Sequence, residues 1–152
     1  LSNTTVSKVV SNLMWDREAE IDKIQRKNIY VEHENKILQS RYNLLLKLTR
    51  CELDMARIPD SIAIYGAGNI GRAFYEKCKG LCRVRYFVDG SSGEKEYKGI
   101  PIVSLKELED KGDMCENYVI TPTYDFETIR EWFSEHCPNA GLFSLDTLFA
   151  EY

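Results

Sequence analysis

The sequence predicts an α/β protein: a parallel sheet of about five strands flanked by helices and preceded by a long N-terminal helix. Three observations carry this. Residues 1–57 contain no Gly and no Pro, while all nine Gly and all four Pro follow. Apolar residues in the first stretch recur at heptad spacing. The second stretch alternates short apolar runs with amphipathic ones, the pattern of βαβ units packed on both faces of a parallel sheet. Two segments are expected, 1–57 as a dimerisation helix and 58–152 as a ligand-binding domain, with the boundary near Ala56–Ser61, where Pro59 would stop a helix.

In the helix, Ile24, Val31, Leu38 and Leu45 take heptad position d, which puts Ile21, Asn28, Asn35 and Tyr42 at position a. Apolar d with Asn at a is the pattern of a parallel two-stranded coiled coil, in which a buried Asn pairs with its twin and fixes register. Lys27 would face Glu32 of the partner, and Glu34 would face Gln39, so charge does not oppose pairing. A homodimer is therefore expected; the alternative is an amphipathic helix packing on its own domain. The crowded Leu44-Leu45-Leu46-Lys47-Leu48 is too apolar for a two-stranded seam alone and suits packing on the domain that follows.

That domain reads as strand 61–65, helix 69–79, strand 84–88, a polar loop 89–98, a short strand at Ile102-Val103 and a helix 104–110. Ser104 and Glu107 form a capping box for this helix. A strand 117–121, a helix 125–136 with Asp125 as N-cap, a short strand 141–143 and a closing helix 145–151 complete the chain.

Between the first strand and its helix stands IAIYGAGNIGR, with Gly66, Gly68 and Gly71 in a GxGxxG spacing. The chemistry demands that order. Gly66 permits the tight turn, Gly68 lets a phosphate approach the backbone, and Gly71 lets the helix lie close to the strand. Ala67, Asn69 and Ile70 complete the turn and the helix start, whose free N–H groups and dipole attract an anion. The next strand ends in Asp89, where an acidic residue accepts hydrogen bonds from ribose hydroxyls. The pattern favours a nucleotide ligand over a purely structural turn. Arg72 either reaches an anionic group on the ligand or covers the helix face. Thr121, Thr123 and Tyr124 follow a central strand and either line the same crevice or form only a helix-entry loop. A P-loop would need Gly-Lys-Ser/Thr, and a methyl-donor site would place an acid where Ile64 stands. Tyr75 and Lys79 have a Tyr-x-x-x-Lys spacing but lie on the wrong helix for short-chain dehydrogenase chemistry.

IYGAGNIGR, YFVDG, YKGIPIVSLKELED and YVITPTYDFETIREWF together resemble the small Rossmann-like domains of nucleotide-sugar and polysaccharide-biosynthesis proteins. Such domains stand at the N-terminus of capsule-type nucleotide-sugar dehydratases and of sugar acyltransferases. The resemblance covers residues 61–150. It implies a minimal Rossmann-like fold that binds NAD or a nucleotide-sugar such as a UDP-sugar, with catalysis placed in another domain. Asp89-Gly90 stands where those domains carry an acidic pair or triplet.

The net charge of -4 supplies no basic field for nucleic acid or an anionic membrane. Five Cys without a CxxC argue for free thiols in a reducing, cytoplasmic compartment. No apolar run is long enough to span a bilayer. His33 falls outside the seam and His136 at a helix end, so neither is a catalytic candidate, and the cysteines do not have zinc spacing. The chain begins at Leu1 and reads as part of a longer protein. Three functions remain: a nucleotide-binding module of surface-carbohydrate biosynthesis, a fragment of an NAD-dependent oxidoreductase, epimerase or dehydratase, or an oligomerisation scaffold with a vestigial site.

Overall fold

The computed structural model describes residues 3–111 and 115–151; the outer ends of the two expected segments, Leu1 and Tyr152, lie outside it. Helix α1 runs Asn3–Arg50. It takes part in two compact units, the first ending at Gln39 and the second beginning at Ser40. In the first unit the heptad residues are exposed: Ile24 by 56% and Leu38 by 58%. In the second, Leu44 and Leu48 are buried among the side chains of the sheet. The compact domain thus begins well before the change in composition. Among the described residues no helix is long and apolar enough to cross a membrane.

The sheet has six strands in the order β3-β4-β2-β1-β5-β6. Strands β1 (Ser61–Tyr65), β2 (Arg83–Val88), β4 (Ile100–Val103), β5 (Asn117–Ile120) and β6 (Gly141–Ser144) are parallel. Helix α2 (Asn69–Cys78) follows β1, α3 (Leu105–Lys111) follows β4, and α4 (Phe126–His136) links β5 to β6. The chain steps outward from β1 through β2 to β4, then crosses back to β5 on the other side of β1. The strand order therefore reverses between β1 and β5, where an open α/β sheet leaves a crevice at the carboxyl ends of its strands.

Side chains along β1 alternate between the faces, as a strand's period of two requires. Ile62 and Ile64 meet Phe74 and Cys78 of α2, together with Leu44 and Leu48 of α1. Ala63 meets Leu108 of α3 and Ile129 and Phe133 of α4 on the opposite face. Ser104 Oγ accepts the Glu107 N–H at 3.1 Å, the cap expected for α3.

Three expectations need correction. The sheet gains a sixth strand, β3 (Glu96–Tyr97), inside the expected polar loop; it pairs antiparallel with β4. Lys98 and Gly99 make the turn with φ of 49° and 82°, the positive pair that a two-residue hairpin favours. Pro59 does not end α1, which stops at Arg50; Asp54 Oδ1 then accepts the Ala56 N–H and caps a 3-10 turn at Met55–Arg57. The closing helix is reduced to a 3-10 turn at Leu145–Thr147. Beyond it the chain pairs with the segment leaving α1: Asp54 N donates to Leu148 O at 2.8 Å and Ala150 N to Glu52 O at 2.9 Å. This extended pairing buries Leu53, Leu148 and Phe149 together, and tertiary burial overrides local helix preference. Asp125 is the N-cap residue of α4, as expected, although its side chain makes no cap hydrogen bond, and it closes a 3-10 turn at Thr123–Asp125.

Because Leu44 is only 3% exposed, the end of α1 belongs to the core. Leu44→Ala should lower the unfolding free energy by about 2–5 kcal/mol in chemical denaturation. An unchanged midpoint would mean that this helix end is not core.

Candidate functional site

The glycine turn is built by contacts that leave little choice of residue at two of its three glycines. Gly66 has φ of +104°, and its N–H donates to Val88 O at 2.8 Å, tying the turn to the end of β2. A Cβ there would run into the Thr121 hydroxyl, which donates to Tyr65 O at 2.7 Å. At Gly71 a Cβ would overlap the Gly66 carbonyl oxygen, so α2 lies against the turn only with glycine at that position. Gly68 is different. Its φ of -83° suits any residue, and nothing lies within 4 Å of where its Cβ would stand. The fold does not require glycine there. Gly68 is also the N-cap of α2 and supplies no side-chain cap, so the N–H groups of the first helical turn face the crevice without one.

Asp89 closes the turn from the other side. Its Oδ2 accepts the Ala67 N–H at 2.8 Å, and its Oδ1 accepts the Ser91 N–H and hydroxyl, both at 2.9 Å. Burial pushes its carboxyl upward, but these hydrogen bonds, with one from the Ser92 backbone, outweigh it and hold the group below its ordinary range. The carboxylate therefore stays charged at the mouth of the turn.

A cavity of about 460 Å³ opens at the β1/β5 reversal. Of the residues expected from sequence, Gly66, Gly68, Asn69 and Ile70 line it, and so do Gly71, Asp89, Thr121 and Tyr124. Ala67, Arg72 and Thr123 lie outside the lining. Arg72 turns toward the β3 hairpin: Nε donates to Ala67 O at 2.9 Å, Nη2 meets Glu94 at 2.8 Å, and the guanidinium stacks on Tyr97 at 4.7 Å. It braces the turn and covers the helix face. The Thr123 hydroxyl sits 3.3 Å from that of Ser40 on α1.

Sequence reasoning missed Arg41, Leu45 and Tyr65, all in the lining. Arg41 and Leu45 come from α1, far away in sequence. Leu45, placed at heptad position d, is a wall of this cavity. Tyr65 was legible only as a strand residue. Its ring packs edge-on against Phe133, and its phenol is pushed up by burial and by the nearby Asp125 and Asp89 charges, so it stays neutral. His136 is elsewhere: it stacks on Trp132 and pairs with Glu109 at 2.7 Å. Tyr75 packs on Phe87 and Tyr97, while Lys79 pairs with Glu76 at 2.5 Å, so the Tyr-x-x-x-Lys spacing forms no pair.

A comparison with protein-family models finds no match to this chain, and a comparison with curated proteins finds none either. The geometry of the crevice carries the functional argument.

The glycines should separate by substitution. Gly71→Ala forces the helix off the turn and should cost about 1–3 kcal/mol of stability. Gly68→Ala should leave thermal unfolding unchanged, since its Cβ meets open space. Equal destabilisation by both would contradict this division of roles.

Proposed function

We infer that the crevice binds a nucleotide, either NAD or a nucleotide-sugar such as a UDP-sugar, as a module of surface-carbohydrate biosynthesis. The single observation that carries the reading is Gly68, a glycine the fold does not need, placed at the helix N-terminus with open space in front of it. The residues present fit such a ligand. The first turn of α2 would face the pyrophosphate, and the charged Asp89 at the end of β2 stands where a ribose hydroxyl would donate. The cavity volume falls within the roughly 300–1,000 Å³ usual for small-molecule sites. NAD would supply hydride chemistry when bound. Among the described residues the lining holds no His, Cys or Lys, and its one carboxylate is committed to the glycine turn. That set supports binding rather than catalysis by this domain alone, in line with the resemblance to domains whose chemistry sits elsewhere.

The exposed heptad residues of α1 support a second copy of this chain as the helix's partner. The spacing of Asn28 and Asn35 at position a sets a parallel register.

Calorimetry on the full chain tests the ligand. NAD should bind better than NADP, because Asp89 would repel a 2′-phosphate. Gly68→Val should abolish binding of every nucleotide that the wild type binds, with circular dichroism unchanged. A Gly68→Val protein that binds as the wild type does would end the reading. For assembly, Leu38→Glu places a charge in a seam enclosed by partner side chains. It should turn a dimer into a monomer in sedimentation equilibrium and leave the domain folded. A wild type that is monomeric under the same conditions would contradict the seam.

A further inference from the structure

We propose that Arg41 of the N-terminal helix is the residue that makes this crevice select phosphate-bearing ligands over neutral nucleosides. The inference rests on the nucleotide reading and goes beyond it, since it makes α1 a component of the ligand site. Leu44 and Leu48 anchor the end of α1 in the core, and Ser40 contacts Thr123 in the loop after β5. These contacts fix the turn that carries Arg41. Its guanidinium lies 5.4 Å from the centre of the Tyr124 ring, and Nη2 donates to the Tyr124 hydroxyl at 3.1 Å.

The charges single this residue out. Arg41 is the one Lys or Arg in the lining, and among the described residues no carboxylate pairs with it. Asp89, the lining's one carboxylate, is held by the glycine turn and Ser91. The cation therefore stands uncompensated beside a cavity whose other wall is the start of α2. A guanidinium has five donors, and one is used on Tyr124. The remaining fork matches two oxygens of a phosphate, a charge-assisted pairing that a neutral ligand cannot make. The Tyr124 hydroxyl and ring hold the guanidinium in place, which limits the side-chain freedom lost when a ligand arrives.

The test titrates the full chain with ADP, NAD and adenosine, using Arg41→Ala, Arg41→Lys and Gly68→Val. Arg41→Ala should weaken ADP and NAD about ten- to hundredfold, the range for a hydrogen bond to a charged group, and leave adenosine unchanged. Arg41→Lys should restore part of the loss, because the charge remains while the fork is gone. Thermal unfolding without ligand should match wild type in both Arg41 variants. If Arg41→Ala binds ADP as wild type does while Gly68→Val does not, the inference falls and the nucleotide site stands. If adenosine weakens as much as ADP, Arg41 is not a phosphate selector. If the wild type binds none of the three and no UDP-sugar either, the nucleotide reading falls and the inference with it.

Discussion

Helix α2 lies against the turn that precedes it with no room for a side chain at residue 71. This contact sets everything around the crevice. It brings the helix start to the carboxyl end of β1, where the Gly66 N–H reaches back to Val88 and the Ala67 N–H reaches the Asp89 carboxylate. Two neighbouring strands and a helix are thereby joined through four backbone positions. With the turn fixed, the first N–H groups of α2 have one direction left open, and that direction is the cavity. Arg72, anchored on the Ala67 carbonyl and on Glu94, locks the turn from behind and ties it to the β3 hairpin.

The electrostatics of the crevice follow from the same arrangement. Asp89 accepts from the Ala67 N–H and from Ser91 and Ser92, and these bonds keep it ionised at the end of β2. The helix start and Arg41 both favour an anion, while Tyr65 and Tyr124 offer neutral, partly apolar surface between them. A ligand with a negatively charged middle and hydroxyl-bearing ends matches that order of charges. Because the lining combines the ends of β1 and β2, the glycine turn, the loop after β5 and the last turns of a long helix, the site is incomplete without the helix residues from Ser40 onward.

What the sequence disclosed depends on how local the signal is. The strand, turn and helix around Gly66–Gly71 were legible because three glycines at fixed offsets encode a geometry that few other structures need. The parallel strands were legible from apolar runs, and the doubly covered sheet followed from their alternation with helices. The antiparallel β3 was missed because Glu96-Tyr97 is too short to show a pattern, although Lys98-Gly99 carried a hairpin signal. The closing helix was misread because Leu145–Phe149 has apolar spacing suited to a helix, while its actual partner, Leu53, lies at the far end of the domain. For the site, Gly68 and Asp89 could be found by spacing, whereas Arg41 could not: only the fold brings the end of α1 beside the loop after β5. Arg72 is the converse case: of the two roles the sequence left open, the structure gives it the cover of the helix face, directed away from the cavity.

The most direct test of the central claim, that an anionic ligand seats on the glycine turn, is a residue-resolved amide spectrum of the isotopically labelled protein during titration with ADP and NAD. The account predicts that the Gly68, Asn69 and Ile70 amides shift first and most, together with Asp89 and Ser91, while amides of the helix before Gln39 stay in place. Binding that leaves the Gly68–Ile70 amides unmoved and shifts residues elsewhere would contradict it.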